Sequence, residues 1–172
     1  MTAMNEPQEQ FIIDEFFDCT VRGAFQRARI YRPEAGERAR AKFREALRSS
    51  LTKRAVEYSE PVSEDDHVAN IVSLADELSD GHTDVLVNGR FRIGVAQKAL
   101  NLYLKYLWCI GKATTPPHCP FDAVVIQMLV DCGSMNWTKL DSAAEYRMLV
   151  TAAKTRAAGK TLAEWELETY GG

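Results

Sequence analysis

Four glycines divide most of this chain into stretches that read as helices. Gly81, Gly111, Gly133 and Gly159 each follow a segment whose apolar residues recur every three or four positions, and each stands where such a helix would stop. The longest segment runs from Glu34 to about Tyr58. It places Ala39, Phe43, Ala46, Leu47, Leu51 and Val56 on one face and arginines elsewhere. Tyr31-Arg32-Pro33 separates it from an N-terminal helix carrying Phe11-Ile12-Ile13 and Phe16-Phe17, since proline disfavours helix in the residue before it.

The same logic locates the other elements. Ser63 followed by Glu64-Asp65-Asp66 reads as a cap with a first turn suited to the helix dipole, and Val68, Ile71, Val72, Leu74, Ala75 and Leu78 supply its buried stripe. His67 reads as a surface histidine and His82 as a loop residue. Val85 to Arg92 contains Asn88-Gly89, which closes either a small β-hairpin near 85–91 or an ordered loop. A helix from about Val95 to Ile110 follows, then an apolar and deeply buried one from Asp122 to Leu129. Asp141 reads as the cap of a helix through Ala158 with Ala144, Met148, Leu149 and Ala152 inward, and Thr161 with Glu164 as a capping box. These elements predict an all-α fold: a single domain over residues 1–172, six or seven helices, with a polar N-terminal extension at 1–10. Its core is expected at Phe43, Leu47, Ile71, Leu74, Leu100, Leu104, Leu107, Val125, Leu129, Leu149 and Trp165.

The composition, 46% apolar and 26% charged, is that of an ordinary globular protein. No apolar run approaches the roughly 20 residues that cross a bilayer, and Met1 to Gln10 lacks the basic start and apolar centre of a signal peptide, so no membrane partner and a cytoplasmic location are expected. Cys19, Cys109, Cys119 and Cys132 are widely spaced. A metal site would need Cys109, His118, Cys119 and Cys132 to converge, and adjacent His118 and Cys119 fit one tetrahedral ion poorly, so neither a metal nor a cofactor is assigned.

A net charge of −3 conceals segregated blocks. Arg22 to Arg54 carries eleven Lys/Arg against three Glu, Ala55 to Asn88 carries nine Asp/Glu and no Lys/Arg, and Gly89 to Phe121 has five basic residues and no acidic one. Either the first block neutralises the second on folding, or it offers a face to nucleic acid.

The third block holds the candidate site. Gly94-Val95-Ala96-Gln97-Lys98 delivers a lysine into the start of a helix, where the positive end of the dipole lowers an ammonium pKa and favours a nucleophilic amine. Pro120-Phe121-Asp122 delivers a carboxylate to the start of the next helix. This arrangement resembles the helix-hairpin-helix DNA glycosylase superfamily, especially its 8-oxoguanine-type members, over about 33 residues from Arg90 to Asp122. The resemblance implies that Lys98 is the nucleophile and Asp122 its carboxylate partner. It also implies that backbone N–H groups around Gly94 to Ala96 hold a DNA phosphate. Arg90, Arg92 and Gln97, in the same stretch, read as further nucleic-acid contacts. The pattern departs at Ala96, where the family has a second glycine, and in the residues before Gly94, which lack the look of a hairpin's first helix. The C-terminal part, from Asn136-Trp137-Thr138 through Trp165-Glu166, resembles helical bacterial proteins of no assigned activity.

Two functions follow from these residues. One is lysine-dependent base removal from DNA with strand nicking. The other is a non-enzymatic helical module whose basic helix, through Arg40, Arg44 and Arg48, binds nucleic acid or an acidic protein partner. Trp165 reads as core; Trp137 either stacks on a base or plugs the core edge.

Overall fold

Asn5 opens the first helix, α1 (Glu6–Phe25): its side chain accepts the Gln8 N–H while the Gln8 side chain accepts its own. The computed structural model describes residues 4–170. Of the polar extension expected at 1–10, residues 6–10 are instead the first turns of α1, and residues 1–3 lie outside the described residues. The second helix, α2 (Glu37–Ala55), gives way to a 3-10 turn at Val56–Ser59, which turns Val56 out to solvent. Ser63 caps α3 (Glu64–Asp80) by accepting the Asp66 N–H. Then come α4 (Ile93–Cys109), the short α5 (Ala123–Gln127), α6 (Ala143–Ala157) and α7 (Leu162–Tyr170). The fold is all-α, with seven α-helices and no strand among the described residues. None of these helices is long and apolar enough to cross a membrane.

The hairpin alternative at 85–91 is not taken. The Val87 N–H donates to the Ile30 carbonyl and the Arg32 N–H to the Val85 carbonyl, so this segment pairs with the α1–α2 connection and not with itself. Asn88 and Gly89 adopt positive φ within a 3-10 turn, and a single antiparallel bridge joins Tyr31 to Leu86.

Eleven of the seventeen residues of α4 are buried, which makes it the central helix. It packs along α1 and against α3, α2 and α6. All eleven expected core residues are buried. Two expectations fail on α6. Ser142, not Asp141, accepts the Glu145 N–H, and this register turns Tyr146, Leu149, Val150 and Ala153 inward while Met148 is 59% exposed and Ala144 faces solvent. Asp141 is engaged elsewhere: it accepts the Ile93 N–H at the start of α4 and pairs with Arg90. Nor is the helix at Asp122 a long buried one. It spans five residues, leaves Val124 exposed, and passes into turns in which Asp131 has a positive φ.

His67 corrects another expectation. It is fully buried, inside a chain of polar side chains that crosses the core. Tyr58 Oη lies 2.7 Å from His67 Nδ1, His67 Nε2 lies 2.8 Å from Asn101 Oδ1, and Asn101 Nδ2 donates to Gln97 Oε1 and Tyr146 Oη. Tyr146 Oη in turn meets His118 Nδ1 at 2.8 Å. Because Asn101 Oδ1 can only accept, His67 carries its proton on Nε2 and Tyr58 donates to Nδ1. Burial holds both imidazoles neutral, pushing His67 down to about 4 and His118 to about 2.

Candidate active site

Lys98 is the sixth residue of α4, in its second turn, on the one flank of the helix that is not fully enclosed. A close backbone approach sets what lies opposite. The Gly94 N–H donates to the Leu140 carbonyl at 2.8 Å, and a Cβ at Gly94 would stand 1.8 Å from the Trp137 carbonyl oxygen. No side chain fits there, so glycine lets the 137–140 turn lie directly on the helix. The turn thereby puts the Trp137 ring under the Lys98 ammonium, 4.5 Å from Nζ to the ring centroid. Trp137 itself is buried, so it plugs the core edge while still lining the pocket.

The carboxylate arrives through a second device. Gln97, the neighbour of Lys98, clamps the backbone of Phe121, the neighbour of Asp122: its Nε2 donates to the Phe121 carbonyl at 2.7 Å and its Oε1 accepts the Phe121 N–H at 3.1 Å. Both of its remaining bonds are also made, to the Gly94 carbonyl and from Asn101, so a fully satisfied buried amide fixes the two segments in register. Asp122 then caps α5, with Oδ1 accepting the N–H groups of Val124 and Val125. Its Oδ2 is left for Lys98, 3.6 Å away, and for the Tyr170 hydroxyl, which donates at 2.8 Å.

These groups line a pocket of about 210 Å³ together with Gly23, Gln26, Arg27 and Val124. The Lys98 side chain is 13% exposed. Burial lowers its pKa below the ordinary lysine value; Asp122 opposes the shift and Arg27 adds to it. The cause is desolvation, and the expected first-turn position at the helix end does not apply. An amine that sheds its proton more readily, a carboxylate beside it and an aromatic wall form a set suited to covalent attack on a carbon that bears developing positive charge.

The expected phosphate cradle at the start of α4 is corrected. The N–H groups of Gly94, Val95 and Ala96 donate to the carbonyls of Leu140, Arg92 and Arg92, and Gly94, Ala96 and Gln97 are all buried. The residues before α4 form a 3-10 turn and a loop instead of the first helix of a hairpin. Arg90 pairs with Asp76 and Asp141, while Arg92 donates to the carbonyls of Thr138 and Arg29. The middle of the basic helix is spent as well. Arg48 bonds Asp14 and lies over the Phe17 ring, Arg44 pairs with Glu37, and Arg40 lies over Tyr31 and donates to the Arg32 carbonyl. Of the first basic block, Arg54 pairs with a carboxylate of the acidic block, donating to Glu77 and also to Ser73.

Gln26, Arg27 and Tyr170 complete the pocket, and no motif in the sequence marks them. Arg27 is one of eleven cations in its block and nothing in the local pattern distinguishes it, and Tyr170 lies 48 residues from the carboxylate it bonds. Among the described residues no three His, Cys, Asp or Glu side chains gather as a metal site. Neither family models, curated proteins nor solved structures yield a match to this chain.

Proposed function

We propose that this chain is a lysine-dependent DNA glycosylase that also nicks the strand it has cleared of a base. The observation that carries the reading is the Lys98–Asp122 pair, held 3.6 Å apart over the Trp137 ring in a pocket open to solvent. Its residues are those expected from the glycosylase resemblance. In this reading a nucleotide leaves the helix stack and enters the pocket, where Gln26 offers an amide to the edge of the base. Neutral Lys98 attacks the sugar carbon as the glycosidic bond breaks, its electron pair leaving with the base, which takes up a proton. Ionised Asp122 stabilises the positive charge that develops on the sugar and receives the proton that the new ammonium sheds. Ring opening gives an imine between Lys98 and the sugar. Loss of a proton from the adjacent carbon then expels the 3′ phosphate.

Strand scission on duplexes bearing oxidised, mismatched or abasic positions tests the reading. Wild type cuts at the lesion, Lys98→Gln does not, and Asp122→Asn is slowed by about 10²-fold or more. Binding without scission on every member of such a panel removes the enzymatic reading. The alternative, a binding module acting through α2, is disfavoured because Arg40, Arg44 and Arg48 already have partners within the chain.

A further inference from the structure

Three concavities follow one another on the face where Lys98 opens. The Lys98 pocket adjoins a depression of about 380 Å³ over Trp137 and Thr138, and this adjoins a third of about 490 Å³ lined by Arg29, Asn88, Arg92 and Lys139. Arg27 lines all three. Along the whole run, among the described residues, the cations are Arg27, Arg29, Arg92, Lys98 and Lys139, and the one carboxylate is Asp122. In a chain of net charge −3 such a run is a local reversal of sign.

Apart from Lys98, which pairs with Asp122, these cations differ from Arg44, Arg48 and Arg54 of α2 in being uncompensated among the described residues. Among the described residues, Arg27, Arg29, Arg92 and Lys139 form no ion pair. Arg92 also sets the geometry, since its donations to Thr138 and Arg29 tie together the two loops that carry Arg29 and Lys139. Burial lowers the Arg92 pKa, which only the more distant Asp141 opposes, so an anion in the groove would relieve a cost already present. Arg27, Arg29 and Lys139 remain exposed, at the rim, with donors free to turn toward a ligand.

We propose that this groove holds the phosphodiester backbone of the nucleic acid strand whose extruded nucleotide enters the Lys98 pocket. The nucleotide part rests on the glycosylase reading; the phosphate part does not. Successive cations along a strip, with no opposing carboxylate beyond the Lys98 pocket, suit a polymer with evenly spaced charges.

The test measures binding of a fluorescein-labelled 20-base-pair duplex by anisotropy, in a Lys98→Gln background so that nothing turns over. Charge reversal at Arg29 and Lys139 is compared with the same reversal at Arg38 and Lys42, exposed cations of α2 that form no ion pair among the described residues. The groove pair is expected to lose at least tenfold in affinity and to flatten the slope of log K against log salt by about two, near 0.9 for each phosphate contact removed. The α2 pair is expected to lose less than threefold. Equal losses from both pairs, or none from the groove pair, overturn the inference. So does equal competition by polyglutamate of the same charge. If a groove variant loses its helical circular dichroism, Arg29→Gln with Lys139→Gln replaces it. Groove-dependent binding by a wild type that leaves every lesion intact keeps the phosphate groove and removes the glycosylase reading.

Discussion

Two faces of α4 carry polar side chains, and they are built in opposite ways. On the inner face Gln97 and Asn101 sit in a closed chain from Tyr58 to His118, with almost every donor and acceptor paired. The exception is His118 Nε2, which has no partner among the described residues. On the pocket flank Lys98 has a long ion pair, an aromatic ring and open space. The inner face holds the fold together, and a half-satisfied buried network would cost more than an apolar core. Lys98, by contrast, pays for partial burial with a lowered pKa that the ion pair does not fully repair. Groups that are fully satisfied position; groups left partly unsatisfied are available for chemistry.

Acid should break the inner face first. His67 and His118 have folded pKa values depressed to about 4 and about 2, against about 6.5 unfolded, so their neutral forms contribute stability that is present above pH 6.5 and lost as pH falls. At pH 5 both remain neutral in the folded protein and protonated in the unfolded chain, a loss of about 2 kcal/mol each and about 4 kcal/mol together. Urea unfolding at pH 7.5 and pH 5 measures it. A stability unchanged between these values would show that the histidines are not held neutral.

Gly94→Ala comes next. Its Cβ would overlap the Trp137 carbonyl, which cannot move without tearing the turn from α4, and we expect a loss of about 3 kcal/mol by thermal or urea unfolding. Asn101→Leu should cost about 2 kcal/mol, because it strands His67 Nε2 in the core, while Tyr146 keeps His118. The smallest effect is expected on the other face: Lys98→Met should change stability by less than about 1 kcal/mol in either direction, since the methionine keeps the apolar stem over Trp137 and removes a poorly compensated charge. A Lys98→Met loss as large as that of Asn101→Leu would erase the distinction between the two faces.

The fold was legible where one face of a helix decides burial. Phe43, Leu47, Ile71, Leu74, Leu100, Leu104 and Leu149 are all fully buried at positions a 3.6-residue period assigns, and Ser63 and Thr161 cap the helices they precede. What failed depends on partners distant in sequence. Asp141 has the local context of a cap, but Arg90, 51 residues away, and the Ile93 N–H claim it. His67 has the context of an exposed first turn, and Tyr58 and Asn101 supply the bonds that let it be buried. The run Val124-Val125-Ile126 looks the same whether it belongs to a long buried helix or to one turn capped by Asp122. The proximity of Lys98 and Asp122 was anticipated from the resemblance; the Gln97 clamp that produces it, and Arg27 and Tyr170 around it, leave no local mark in the sequence.

Base removal by this pocket requires that Lys98 form a covalent bond to a sugar. Borohydride reduction during incubation with duplexes carrying oxidised or abasic positions reports only an amine–sugar adduct. Wild type should yield a trapped species whose peptide mass places the adduct on Lys98, while Lys98→Gln, checked for helical circular dichroism, should yield none. Absence of an adduct above the Lys98→Gln level on every duplex of the panel, or an adduct on another amine, would contradict the account.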